Sequence, residues 1–381
     1  MWRDRRFAGI ERLYVCPPKD AFVRVPDQVL KTAVFLGIET AAGIEYGGTG
    51  YIISAEYGPG YTFTCKESDG VTIDTCYPFM FIATAAHVAE KLEGFDFYIR
   101  ANKRDGSLAE IKKELPTQWW YHPTEREFVD AALTLLPVSE VLALDIVPVP
   151  VPMFVGEETI KSRDLGIGDE VFIAGLFKNA KGALKNIPIL RIGNVAMMPQ
   201  EKISSPTVER PNQKLYASLV ESRSIGGLSG SPVFVRETVR VQAGFRAKPG
   251  FCLNTANDPT PEASGLEKIE LAGVGRFHFF GSMIGHWQVP LAFGSVQPEA
   301  VNMGIAPMVP AQKILEIFAQ PSLLDSMNRI SEEMEKERQK RDGMAILDSE
   351  FAQSGDKRVP FTKQDFENAL KKVTRKSSDK K

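Results

Sequence analysis

The segment Gly226-Gly227-Leu228-Ser229-Gly230-Ser231-Pro232-Val233-Phe234 is the strongest local signal in this chain. Glycines flank one serine, and Pro232 redirects the chain into a strand that begins with Val233-Phe234. Such a turn can project a serine hydroxyl and aim nearby backbone N–H groups at one point, as acyl transfer requires. A plain glycine-rich hairpin is the alternative, so the functional interpretation depends on finding partners for Ser229.

The first partner that a nucleophilic serine needs is a base. The chain has four histidines. His87 follows an apolar run, Phe81-Ile82-Ala83, and three small residues, which predicts an imidazole at the rim of a β structure. His122 is in a polar loop where we expect exposure, and His278 is in a predicted strand where we expect a structural role. His87 is therefore the candidate base, with a histidine of the core as the alternative.

Asp130 is the candidate acid that orients the base. It stands at the mouth of the apolar run Ala131 to Leu136, where an ionised carboxylate needs a specific partner. A carboxylate of an ordinary strand start is the alternative. The order His87, Asp130, Ser229 would take base and acid from one β unit and the serine from the next, with a substrate groove between them.

Short apolar runs separated by Gly and Pro continue to about residue 310 and predict an all-β barrel or sandwich. No regular helical pattern lies between them, which argues against a parallel sheet with helical crossovers. The first clear helical pattern is Pro310 to Phe318, and a charged helical run follows from Leu323 to about Arg341. The C-terminal part of the chain is therefore predicted to be helical.

Composition limits the classes of partner. The chain has 43% hydrophobic and 25% charged residues and a formal net charge of −2, as in ordinary globular proteins. This balance indicates neither nucleic acid nor an anionic membrane as the main partner. The charged start, Met1 to Arg6, precedes no long apolar run, and no stretch reaches the roughly 20 apolar residues of a membrane helix. We expect a cytoplasmic protein.

The four cysteines are too sparse to form a disulfide framework. Cys65 and Cys76 are the close pair, and they could face each other across a hairpin; two reduced thiols are the alternative. No CxxC spacing is present, so we expect no metal site.

Three blocks resemble the signatures of the chymotrypsin-like serine protease family: Thr84-Ala85-Ala86-His87, Asp130-Ala131-Ala132-Leu133 and Gly227-Leu228-Ser229-Gly230-Ser231-Pro232. Gly48-Thr49-Gly50-Tyr51-Ile52-Ile53 is similar to an early glycine-framed strand of its compact bacterial members. Residues 301–310 and the helix after them resemble the last strand and closing helix. The resemblance covers roughly residues 25–320. It implies two six-stranded antiparallel β-barrels with a C-terminal helical extension.

The resemblance also implies a domain organisation. We expect an N-terminal arm (1–24), a first β-barrel (25–150), a second β-barrel (151–310), C-terminal helices (311–345) and a charged, partly disordered tail (346–381). The insertion at 241–275 is expected to be a surface loop.

By the same resemblance, His87 is the general base, Asp130 its orienter and Ser229 the nucleophile. The backbone N–H groups of Gly227 and Ser229 would form the oxyanion hole. The residues expected to contact substrate are Arg223, Ile225, Gly226, Ile284, Gly285 and His286.

The implied activity is that of a serine endopeptidase that cleaves peptide or protein substrates through an acyl-enzyme, with no metal or cofactor. Leu228 departs from the family, which has Asp or Asn before the nucleophile. The alternative is therefore a catalytically silent protein of this fold that binds peptides or partner proteins. In either case the C-terminal helices could bind a protein partner.

Overall fold

The computed structural model describes ten stretches of the chain. They are residues 25–56, 61–66, 72–177, 180–204, 213–222, 227–247, 266–285, 288–290, 300–302 and 304–351. More of these residues are in strands than in helices, and the longer helices are at the C-terminal end. The prediction of a mostly β protein followed by helices is confirmed.

The first half of the chain forms one eight-stranded sheet. Its path is β7-β6-β1-β2-β5-β9-β8, and β10 pairs with β2 outside that path. The strands are β1 (Ala33–Thr40), β2 (Gly43–Ala55), β5 (Phe79–Thr84), β6 (Phe97–Asn102), β7 (Leu108–Lys113), β8 (Trp119–Tyr121), β9 (Ala132–Leu136) and β10 (Val149–Pro150).

This sheet differs from the closed six-stranded barrel expected for residues 25–150. Its two end strands, β7 and β8, do not pair with each other among the described residues. Strand β2 takes β10 as a parallel partner through Val149 and Ile53, in addition to its antiparallel neighbours. The first closed barrel that the resemblance implies is therefore not confirmed. The strand pattern of the sequence does not specify how the ends of a sheet pair.

The second half forms a closed barrel of six antiparallel strands, in the order β11-β12-β15-β20-β17-β16. This part of the fold prediction is confirmed. The strands are β11 (Glu170–Gly175), β12 (Ile189–Met197), β15 (Ser218–Glu221), β16 (Pro232–Ala247), β17 (Leu266–Met283) and β20 (Ile305–Pro310).

Strands β16 and β17 continue beyond the barrel. Their register pairs Thr238 with Val274 and runs on to Ala247 with Leu266. The prediction of a surface loop at 241–275 is thus wrong for residues 241–247 and 266–275, which form a two-stranded ribbon. Residues 248–265 are outside the described part of the chain.

Three short two-stranded sheets complete the β structure: β3 (Tyr61–Lys66) with β4 (Thr72–Tyr77), β13 (Ile203–Ser204) with β14 (Lys214–Leu215), and β18 (Gln288–Pro290) with β19 (Ala300–Asn302). The backbone register of the first of these pairs Cys65 with Ile73 and Cys76 with Thr62. The two cysteines are therefore three rungs apart, about 10 Å along the strands. They do not face each other across the hairpin, because the register separates them by more than a disulfide spans.

The helices are α1 (Asp27–Leu30), α2 (Ala86–Leu92), α3 (Val138–Leu142), α4 (Glu157–Arg163), α5 (Ala311–Phe318) and α6 (Pro321–Phe351). Helix α6 buries Leu323, Met327, Ile330 and Met334, which recur at helical spacing on one face. No helix in the described ranges has the length and apolar character needed to cross a membrane.

The largest hydrophobic cluster joins the two halves. It contains Tyr51 and Phe81 from the first sheet, Phe172 and Phe279 from the barrel, and Ile330 from α6. Each half also has its own cluster, one around β1, β6 and α2 and one inside the barrel. The division of the chain into domains at residue 150 stays a prediction, although the chain passes from sheet to barrel between β10 and β11.

Candidate active site

Two adjacent strands bring His87 and Asp130 together. Strand β5 ends at Thr84, and helix α2 begins two residues later, so His87 is in the first turn of that helix. Strand β9 begins just after Asp130 and runs antiparallel to β5, with Thr84 opposite Ala132. The end of one strand therefore meets the start of the other, and the two side chains converge at the same edge of the sheet.

Asp130 accepts two hydrogen bonds from His87. Its Oδ1 accepts from the His87 backbone N–H at 2.9 Å, and its Oδ2 is 2.7 Å from His87 Nδ1. Both residues are buried, with Asp130 only 1% exposed. An ionised carboxylate can only accept, so Nδ1 is the donor of this bond, and the tautomer that fits it leaves the lone pair on Nε2. The pair presents a histidine that can take a proton at Nε2.

Ser229 is in a tight turn that leads into β16. The turn needs left-handed backbone angles at Gly227 (φ 103°) and Gly230 (φ 82°), which L-residues with a side chain rarely adopt. The Ser231 amide donates to the Leu228 carbonyl at 2.9 Å and closes the turn. Ser229 itself is part-exposed between buried neighbours. The local geometry is the one that the glycine pattern predicts.

The serine turn packs directly against the strand that leads to His87. A Cβ added to Gly230 would lie 2.2 Å from the Thr49 carbonyl oxygen and 2.3 Å from Thr84 Oγ1. It would also lie 2.9 Å from the backbone nitrogen of Ala85. Since Ala85 is two residues from His87, the turn that carries Ser229 lies beside the start of the histidine helix.

The backbone N–H groups of Gly227 and Ser229 are the expected donors of the oxyanion hole. Among the described residues, the backbone N–H groups of Gly227 and Ser229 donate to no backbone carbonyl. Leu228 between them is 1% exposed and packs beside Gly175, where an added Cβ would lie 2.8 Å from its Cδ2. Leu228 is thus an apolar side chain buried between the serine turn and the end of β11.

The residues expected to contact substrate can be placed only in part. Ile284 is buried and its amide donates to the Pro307 carbonyl at 3.0 Å, so that N–H is not free to pair with a substrate. Gly285 follows it. The four other residues of this set lie outside the described part of the chain: Arg223, Ile225, Gly226 and His286.

His122 is buried, with 3% exposure, which corrects the expectation that it is exposed. Its Nδ1 accepts from the Glu125 amide at 3.0 Å, and its Nε2 is 2.8 Å from Glu316 Oε2 on α5. The sequence around His122 does not indicate this contact, because the partner on α5 is 194 residues away.

His122, Glu125 and Glu316 place three possible metal-ligand atoms close together. Lys313 Nζ, however, contacts Glu125 at 2.6 Å and Glu316 at 2.9 Å, and Lys202 contacts Glu125 at 3.1 Å. Both ring nitrogens of His122 are also engaged. The cluster is thus an ion-pair network, which we call the α5 cluster.

Charge pairing in the α5 cluster shifts its acids. Hydrogen bonds from Lys313 and Lys202 hold the pKa of Glu125 below its usual value. Burial alone would raise the pKa of Glu316, but Lys313 and His122 outweigh it and lower that pKa. Both carboxylates are therefore ionised at neutral pH and join α5 to the loop that precedes Asp130.

Comparison with known proteins gives weak structural similarities. The protease domain of MamO from Magnetospirillum magneticum has 13% identity and a TM-score of 0.35 over 76% of this chain and 96% of its own. An inactive mutant of Rv3671c from M. tuberculosis has 14% identity and a TM-score of 0.37 over 80% and 94%. Deg5 has 14% identity and a TM-score of 0.33 over 54% and 75%.

No protein-family model matches the chain, and no curated protein matches it. At TM-scores of 0.33 to 0.37 the structural similarities do not assign an activity to this chain.

Proposed function

We propose that this protein is a serine endopeptidase in which Ser229 is the nucleophile, His87 the general base and Asp130 the residue that orients the base. The observation that carries the proposal is the paired contact of Asp130 with the His87 amide and Nδ1, at 2.9 and 2.7 Å. It leaves Nε2 as the ring atom that can take a proton. The close packing of Gly230 against Thr84 and Ala85 supports it, because it brings the serine turn to the same place.

In the proposed reaction, Ser229 Oγ attacks the carbonyl carbon of a peptide bond while His87 Nε2 takes the hydroxyl proton. The oxyanion that develops accepts hydrogen bonds from the Gly227 and Ser229 amides. His87 then returns the proton to the leaving amine, and the C–N bond breaks to leave an ester on Ser229. Water, activated by His87, hydrolyses the ester and regenerates the serine. Asp130 keeps the ring in the required tautomer throughout.

Covalent labelling with a fluorophosphonate probe tests the nucleophile. The purified chain is expected to take one label, Ser229→Ala none, and Asp130→Asn to react on the order of 10⁴-fold more slowly, because the wrong tautomer is then favoured. Labelling that is equal in the chain and in Ser229→Ala would contradict the proposal. Ser282→Ala, which changes a buried serine of β17, is the matched control and should label normally.

Cleavage of peptides tests the reaction class. The unlabelled enzyme should cut a mixed peptide library into internal fragments that mass spectrometry detects. The labelled enzyme should not. The silent binding protein is indicated instead if the chain takes no label and cuts no peptide, while the original chain and Ser229→Ala bind the library peptides equally well. The reason for testing that alternative is Leu228, a buried residue that stands where the resembled family has Asp or Asn.

A further inference from the structure

We propose that Thr49 is a positioning residue of this site, which holds the serine turn of the barrel in its working geometry through the strand that leads to His87. The inference rests on the proposed function. The two halves of the molecule carry the base and the nucleophile separately, so some contact must set their relative position. Thr49, on β2 of the first sheet, makes that contact and is completely buried.

The Thr49 hydroxyl bridges two backbone groups of the barrel. Its Oγ1 donates to the Gly227 carbonyl at 2.8 Å and accepts from the Leu176 amide at 2.9 Å. The hydroxyl thus uses its single proton and one lone pair at once, which fixes its rotation. No valine or alanine at this position could make either bond.

The backbone of Thr49 adds two further links. Its amide donates to the Ser229 carbonyl at 3.0 Å, and its carbonyl accepts from Thr84 Oγ1 at 2.7 Å. Thr84 is buried at the end of β5, three residues before His87. A continuous path of hydrogen bonds therefore runs from the strand of the base, through Thr49, to the turn of the nucleophile.

These bonds fix the two peptide planes on either side of the Leu228–Ser229 peptide. A trans peptide is planar, so holding the Gly227 carbonyl also sets the direction of the Leu228 amide. The Ser229–Gly230 peptide is held at both ends, because its carbonyl accepts from Thr49 and its amide donates to the Met283 carbonyl at 2.8 Å. The peptide between them carries the Ser229 amide, one of the two proposed oxyanion donors. The Leu228 carbonyl of this peptide accepts from the Ser231 amide at 2.9 Å, and the peptides before and after it are held by the bonds above, so all three fix its orientation.

The test compares Thr49→Val with Thr49→Ser. Valine keeps the shape but leaves the Gly227 carbonyl and the Leu176 amide without their partner, whereas serine keeps the hydroxyl. We expect Thr49→Val to lower the second-order rate of fluorophosphonate labelling about 10- to 100-fold, as a small displacement of reacting groups does. Thr49→Ser should retain the rate within about 3-fold, since the bridging hydroxyl remains.

The pH profile of labelling distinguishes positioning from a general loss of structure. Among the described residues, the Thr49 hydroxyl bonds to the Gly227 carbonyl and the Leu176 amide and to neither His87 nor Asp130. Thr49→Val should therefore lower the plateau rate and leave the pH midpoint where it was. A midpoint that moves with the rate, or a valine variant that labels like the original chain, would overturn the inference. An equal loss in Thr49→Ser would also overturn it.

Hydrogen exchange separates this inference from the proposed function. If the original chain takes no label, the proposed function fails, and the positioning role in that reaction fails with it. The bridge itself is then judged by exchange of the Leu176 amide measured by NMR. Faster exchange in Thr49→Val but not in Thr49→Ser supports a bridge that orders the turn, and equal exchange in all three chains rejects it.

Discussion

At the scale of single residues, Asp130 and Gly230 set the site in different ways. Asp130 is held at both oxygens by one residue, through its backbone and its ring, so the position of the carboxylate is tied to the start of α2 as well as to the imidazole. A buried carboxylate needs such partners because its charge is poorly solvated. Gly230 contributes by lacking a side chain, which lets the barrel approach the strand of the base.

Gly230→Ala should destabilise the protein and suppress labelling of Ser229. Its φ of 82° disfavours any side chain, and the new Cβ would also lie 2.2 Å from a backbone oxygen of Thr49. We expect a loss of about 3 kcal/mol or more in the free energy of unfolding, measured by urea titration.

Gly106→Ala is the matched control for that prediction. Gly106 has φ of 83° but nothing within 4 Å of an added Cβ, so it reports the backbone cost alone. That cost should be about 1–2 kcal/mol, with labelling unaffected. Equal losses in the two variants would show that the close approach at Gly230 costs nothing.

At the scale of elements, the α5 cluster joins helix α5 to the loop that leads into β9. Lys313 bridges Glu125 and Glu316, while His122 uses both ring nitrogens within the same network. The segment from 125 to 129 is further held by bonds from the Phe128 and Val129 amides to the Glu125 carbonyl. Asp130, the proposed orienter, directly follows this segment, so the contacts of α5 help to hold it in position.

Glu125→Gln should lower the free energy of unfolding at neutral pH and remove part of its dependence on pH. The pKa of Glu125 is lowered in the folded protein by Lys313 and Lys202, so its stabilisation is complete above the unfolded carboxyl pKa of about 4.3 and is lost as the pH falls through the folded value. The difference in urea midpoint between the original chain and the variant should therefore be largest near pH 6. It should shrink by pH 3.5.

Glu157→Gln provides the control for the pH prediction. Glu157 pairs with Lys161 at 3.8 Å on α4, where the two side chains are 81% and 79% exposed, and such exposed pairs contribute little. This variant should follow the original chain at every pH. A constant difference between Glu125→Gln and the original chain from pH 6 to pH 3.5 would contradict the linkage.

Helix α6 cannot be treated as a detachable tail. Met327 and Ile330 are buried in the cluster that both halves share, so removal of the helix from residue 325 onward would open that core. A partner-binding role for the C-terminal helices stays a prediction. Its test needs exposed positions such as Asn328, whose substitution leaves the packed face intact.

At the scale of the whole molecule, the shared cluster makes sheet and barrel one packed body. Phe279 of β17 lies 5.2 Å from Tyr51 of the first sheet, 4.4 Å from Phe154 and 5.9 Å from Phe234 between ring centroids. A second contact joins the halves farther away, where buried Arg100 donates to the carbonyls of Lys181 and Gly182. The site depends on this union, because base and nucleophile come from different halves.

Substitution in either half should therefore destabilise both. Phe279→Ala removes an aromatic ring from the shared cluster, and Phe97→Ala removes one from the cluster of the first sheet alone. Each is expected to cost about 3–5 kcal/mol. Hydrogen exchange with mass spectrometry should show that both variants lower protection in β5 and in β11 alike. Loss of protection confined to the first sheet in Phe97→Ala would show that the halves unfold separately.

The sequence predicted the glycine turn around Ser229, the strands, and the place of His87 after β5. It could do so because turns and strands depend on residues close together in the chain. The C-terminal helices agree with the helical pattern of the sequence, and the closed second barrel agrees with the barrel that the family resemblance implies. The serine turn has the left-handed glycines that its sequence indicates. Local chemistry thus determined the elements and nominated the candidate residues.

Only the tertiary structure decided how those elements meet. It gave the first half a sheet whose end strands do not pair among the described residues, buried His122 against α5, set Cys65 and Cys76 three rungs apart, and made Thr49 a bridge between the halves. Each of these depends on partners that are remote in sequence, or on a register that differs by single residues between alternatives with nearly the same local pattern. Burial and hydrogen bonding across the whole molecule choose among those alternatives.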